Sequence, residues 1–124
     1  MSELQYFKIM GDHAEYRPTG DVSLSQAVQL VASALVFARE QHIGKLLVVT
    51  SELTGFRPPL IADRYFFIKE WAEASGHIVR AALVARPEMI DCQKFGVTVA
   101  ANNGFIADIF ASEDEALAWL QSAK

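Results

Sequence analysis

Short, unbroken apolar runs alternating with longer stretches of helical spacing narrow the folds open to this chain more than any other feature. Leu46–Thr50 is one such run, and Ile78–Ala85, broken only by Arg80, is another. A strand that is apolar at successive positions is buried on both faces, the usual state of a parallel strand inside an α/β sheet. Between the two lie a polar loop, Ser51–Pro59, and a helix predicted over Leu60–Ala74 with Gly76 as its stop signal. Pro87 suits the first turn of a third helix, expected to reach Asn102. Phe105–Phe110 reads as the last strand. Ser112 and Glu115 then form a Ser-x-x-Glu capping box ahead of a closing helix that ends near Ala123.

The chain before these units reads as a hairpin and a helix. Gln5–Met10 and His13–Pro18 are strand-like, and Gly11-Asp12 between them suits a two-residue turn. Ser23 or Asp21 can cap a helix running to about Gln41, with Gly44 as its stop. The predicted order is ββαβαβαβα. That is an α/β fold: a mostly parallel five-stranded sheet with an N-terminal antiparallel hairpin. Arg80 and Asp108 sit mid-strand, where a sheet covered on both faces would penalise a charge. Helices are therefore expected mainly on one face, with these two charges on the other and able to pair.

Composition bounds the rest. The 124 residues form one domain, 1–124, and 52% hydrophobic with 21% charged residues is a globular balance. Eleven Lys and Arg against fifteen Asp and Glu give a net charge of -4 without a basic run, so nucleic acid is not an expected partner. A single cysteine, Cys92, and three scattered histidines, His13, His42 and His77, make neither an internal disulfide nor a zinc site. No metal or cofactor is expected. The most apolar window, Leu30–Ala38, falls far short of the roughly 20 residues that span a bilayer. No signal peptide is visible at the N-terminus, and a cytoplasmic location is the expectation.

Catalytic patterns are missing from the sequence. There is no GxSxG elbow, no Gly-rich phosphate loop and no paired carboxylates. Cys92 lies too far past Pro87 to gain from a helix N-terminus and reads as a packed thiol. No catalytic residue is assigned, and enzyme activity is not expected.

The stretches "AREQHIGKLLVVTSELTGF" (Ala38–Phe56), "ADRYFFIKEWAEASGHIVRAALVARPEMIDCQKFG" (Ala62–Gly96) and "FASEDEALAWL" (Phe110–Leu120) resemble the bacterial SpoIIAA-like family, also described as STAS- and SEC14-like. The Asp63-Arg64 pair and the closing Glu115–Leu120 are the most recognisable parts. The resemblance spans roughly residues 20 to 120. It implies a small α/β fold with sequential parallel strands, and functions in anti-sigma regulation, as appended transporter domains, or in small-ligand and lipid binding. Anti-anti-sigma relatives carry a phosphorylatable serine at the start of the second helix. Here the matching stretch is Gly55–Leu60, which has no hydroxyl, so that switch does not carry over.

Two candidate surfaces follow. Ligands of open parallel sheets bind beyond the carboxyl ends of the strands. Those ends would gather Thr50, Ser51, Thr54, Arg57, Arg64 and Arg86, with Ser112 nearby and helix N-termini that favour an anion. The competing reading makes the hydroxyls turn and cap groups and the arginines solvated surface groups. Asp63 would cap its helix or pair with Arg57. The second surface is apolar. Leu30, Ala34 and Phe37 widen the stripe of the first helix. In the second helix Phe66 points away from a core face of Leu60, Phe67, Ile68 and Trp71. Leu30, Phe37 and Phe66 are candidate interface residues, for example of a homodimer. Trp119 and Leu120 are expected in the core. The sequence thus reads as a non-catalytic binding or regulatory module of STAS-like type. The alternative is a carrier or sensor of a small anionic or amphipathic ligand, such as a nucleotide, phosphate or lipid-like molecule. A protein partner fits the first reading.

Overall fold

A computed structural model describes residues 5–90 and 95–122. The elements are β1 (Phe7–Met10), β2 (His13–Tyr16), β3 (Gly20–Asp21), α1 (Leu24–Glu40), β4 (Lys45–Val49), β5 (Leu53–Thr54), α2 (Ile61–Ser75), β6 (Arg80–Val84), a 3₁₀ turn (Pro87–Met89), α3 (Phe95–Asn102), β7 (Ala107–Phe110) and α4 (Glu113–Ser122). Five strands form the main sheet in the order β1-β2-β4-β6-β7. Only β1 and β2 pair antiparallel. Their register sets Met10 against His13, so Gly11 and Asp12 make the two-residue turn. The fold is α/β, as expected, with a mixed sheet that is parallel after the hairpin.

Each crossover steps one strand in the same direction along the sheet. Crossovers of one hand then put their helices on the same face. One buried cluster accordingly joins Val31 and Leu35 of α1, Ile68 and Trp71 of α2 and Val99 of α3 to Leu46, Val48, Ala81 and Leu83 of the sheet. The last helix follows the final strand and is free of that constraint. It lies on the opposite face, where Ala116 and Leu120 pack on Leu47, Val49, Ala82 and Val84. Helices therefore stand three to one across the sheet. By strand alternation, Arg80 shares the α4 face with Ala82, and Asp108 shares it with Phe110. Trp119 is half-buried there against Phe110, ring centroids 5.9 Å apart.

Helix ends follow their sequence signals closely. Ser23 caps α1 through a reciprocal box with Gln26. Asp63 Oδ2 accepts the Leu60 amide at 3.1 Å at the start of α2. Gly76 ends α2 in the left-handed conformation, φ 62°. Ser112 Oγ accepts the Glu115 amide at 3.4 Å.

Three expectations need correction. The third helix does not begin at Pro87: a single 3₁₀ turn ends at Ile90, whose backbone is extended, and α3 is described over Phe95–Asn102. Cys92 lies outside the described residues. Leu60 is not in the core; as the N-cap of α2 it is 73% exposed. The loop after β4 is not purely irregular. Its Leu53–Thr54 pairs parallel with Gly20–Asp21, and a Cβ on Gly55 (φ 101°) would lie 2.6 Å from the Val22 carbonyl. Two residues are too few to show a strand pattern in sequence.

On the α4 face, Arg17 ties the helix to the hairpin. Its guanidinium donates to both Glu113 oxygens at 2.8 Å and to Glu15 at 2.9 Å. That fork holds the Glu113 carboxyl below the usual carboxylate range. Its contribution is therefore complete above the unfolded value of about 4.3 and is lost as pH falls through the lower folded value. Glu113 is 45% exposed, so solvent limits the effect to less than about 1 kcal/mol. Glu113→Gln should flatten the loss of stability below about pH 4 in urea titrations at stepped pH. Parallel wild-type and variant profiles would contradict the assignment.

Candidate functional site

The carboxyl ends of β4 and β6 open onto a cavity of about 110 Å³ between the sheet and the α1–α2 pair. Its floor is Leu83 and Ala85 of the strand and its outflow. Ala27, Val28 and Val31 wall it from α1, and Phe67, Ile68 and Trp71 from α2. Leu53, Phe56 and Pro59 close it on the side of the loop that follows β4. Trp71 fixes the two helices together: its Nε1 donates to the Val28 carbonyl at 3.0 Å, and its ring lies 4.7 Å from that of Phe67. The lining is apolar almost throughout.

Polar groups gather on one side of the cavity. Thr50, Arg64 and Arg86 all line it and all are partly exposed. Thr50 Oγ1 donates to the Val84 carbonyl at 2.9 Å, which fixes the hydroxyl and leaves its lone pairs available to accept. Arg64 Nη2 donates to the Met89 carbonyl at 3.2 Å. Arg86 Nη2 donates to the Leu53 carbonyl at 3.1 Å, and Nη1 lies 3.6 Å from the Glu88 carboxylate. Arg86 Nε is buried and has no acceptor among the described residues. A buried donor without a partner is uncommon in folded proteins and calls for an explanation.

The structure thus brings together three of the six expected ligand residues. The other three stand apart from the cavity lining. Thr54 Oγ1 is engaged with Asp21 Oδ1 at 3.2 Å and with the Gly20 carbonyl, so it ties β5 to β3. Ser51 lies in the turn between β4 and β5, and Arg57 is exposed. Ser112 serves as the α4 cap. The apolar walls were half legible: Phe67, Ile68 and Trp71 read as a core face, but nothing in their spacing showed that the core leaves a gap there. Among the described residues, no group of three His, Cys, Asp or Glu side chains is placed to hold a metal ion.

The expected interface residues divide as well. Phe37 is half-buried and meets Phe7 edge-on at 4.8 Å. Leu30 is half-buried against the main core. Phe66 is 70% exposed on the outer side of α2, beside Tyr65. Among the described residues, no helix is long and apolar enough to cross a membrane.

No protein-family model matches the chain, and no curated protein is significantly similar to it. Among solved structures, it is similar to that of the protein TM1081, determined by NMR. The TM-score is 0.50 over 99% of this chain and 92% of the other, with 15% identical residues. At that identity the likeness shows a shared α/β fold and nothing about activity.

Proposed function

We propose that this protein is a non-catalytic module that binds a small amphipathic molecule in the cavity between α1, α2 and the sheet. The observation that carries the reading is an apolar cavity with polar side chains gathered on one side, at the strand ends where α/β sheets commonly hold ligands. The resemblance to SpoIIAA-like and SEC14-like proteins supports it.

Size limits the ligand. The cavity is smaller than the ~150 Å³ apolar hole that accepts a benzene ring. It suits one short chain and leaves the polar head at the rim. Each buried methylene contributes about 0.8 kcal/mol, and a charge-assisted hydrogen bond about 1.5–3 kcal/mol. After the cost of association, a minimal probe such as hexanoate or hexanol should bind with a Kd near 0.1–1 mM, to order of magnitude. A thermal-shift series over straight-chain acids and alcohols checks this. Stabilisation that rises with chain length and then levels off supports the cavity. No stabilisation by any member at millimolar concentration contradicts it.

A second reading is an interaction surface on the outer side of α2. Leu60 at 73% and Phe66 at 70% exposure favour it. Sedimentation equilibrium separates the readings: a homodimer would show a mass that rises with concentration, and ligand binding alone would not require it.

A further inference from the structure

We infer that the cavity's ligand carries an oxyanion head, a carboxylate or a phosphate monoester, seated against the Nε edge of Arg86. The inference rests on the cavity reading above and adds the chemistry of the head. Two observations carry it. The first is the orphaned donor: Arg86 lines the cavity, and its Nε is buried with no acceptor among the described residues. Part of the guanidinium is already engaged. Nη2 is anchored on the Leu53 carbonyl at 3.1 Å, and Nη1 lies toward Glu88 at 3.6 Å. Nε is left without a protein acceptor among the described residues.

The second observation is the balance of charge around the lining. Arg64 and Arg86 are both there. Asp108 also borders the cavity, but strand alternation puts its side chain on the α4 face, and its Oδ1 accepts the Ile109 amide at 2.7 Å. Glu88 is 57% exposed and sits at Nη1, so it neither reaches Nε nor screens it fully. A cationic head would therefore meet two guanidinium groups, and a neutral hydroxyl would add no negative charge beside them. An oxyanion can accept a hydrogen bond from Nε, and Thr50 and Arg64 border the same space. Leu53 belongs to the loop that closes the cavity. Arg86 therefore joins the head's position to the wall that covers the apolar chain.

The test compares matched probes: hexanoate, hexyl phosphate, hexanol and hexylamine. Binding is followed by amide NMR titration with the Trp71 indole as reporter. In the wild type, the better of the two anions should bind about tenfold or more tightly than hexanol, and hexylamine should not bind. Whichever anion binds better names the head. Arg86→Lys keeps the charge but removes the Nε donor. It should erase most of that preference, with anion affinity falling several-fold further than hexanol affinity. Arg86→Gln should do the same more completely. Equal affinity of anions and alcohol in the wild type would overturn the head assignment and leave the cavity reading standing. No binding by any probe would overturn the cavity reading itself. The wild-type comparison decides the question even if a variant folds poorly.

Discussion

Ala27→Leu should weaken hexanoate binding by about thirtyfold or more while leaving thermal stability unchanged or slightly raised. Ala27 is only 7% exposed, lies on α1 and lines the cavity. The substitution adds three carbons at a helical position where leucine is nearly as favourable as alanine. Those carbons enter space that the native side chains leave open, so they gain burial without displacing packed atoms. The same space is then closed to a ligand chain. The pairing of lost binding with retained stability is what distinguishes filling from damage. A variant that lost several degrees in Tm would report overpacking, and hence no usable gap beside Ala27. A variant that bound hexanoate normally would place the probe elsewhere.

Trp71→Ala should lower the unfolding free energy by about 3–5 kcal/mol. Trp71 is 5% exposed and contacts three parts of the structure. It packs in the main core, stacks near Phe67 and donates its indole proton to the Val28 carbonyl. Truncation loses the buried area and the hydrogen bond, and it widens a cavity that already exists. A domain of this kind holds a total stability of about 5–15 kcal/mol, so the change should be plain in a denaturant titration. Trp71→Phe keeps most of the ring and should lose roughly a third to a half as much. A loss below about 1 kcal/mol for Trp71→Ala would contradict the role assigned to this side chain in joining α1 to α2.

Much of the fold was legible because its signals are local. The continuous apolar runs marked the parallel strands, and Ser23, Gly76 and Ser112 marked helix ends that the structure shows within a residue or two. The placement of α4 was not legible. Its apolar positions say that it packs, but not on which face, and the decision depends on the direction in which the sheet grows. The break after Pro87 was hidden for a related reason. The proline is compatible with a helix start, and only the extended backbone at Ile90 shows that the turn does not propagate.

The candidate site was half legible. Strand-end geometry pointed to Thr50 and Arg86, and the position of Arg64 near the start of α2 pointed to the same end of the sheet. Sequence could not show that Thr54 is engaged by β3, because that contact spans more than thirty residues and depends on a two-residue pairing. Nor could it show a cavity. Core residues that fill space and core residues that border a gap carry the same hydrophobic pattern. The difference is one of shape, set by how far α1 and α2 are held from the sheet.

Isotope-filtered NOEs between a hexanoate or hexanol chain and the protein test the central claim most directly. The account predicts contacts from the probe's terminal methyl to Val31, Ile68 and Leu83 and to the Trp71 ring, with saturable binding. Contacts confined to Leu60, Tyr65 and Phe66 on the outer side of α2, with none to those four residues, would contradict it and favour the surface reading.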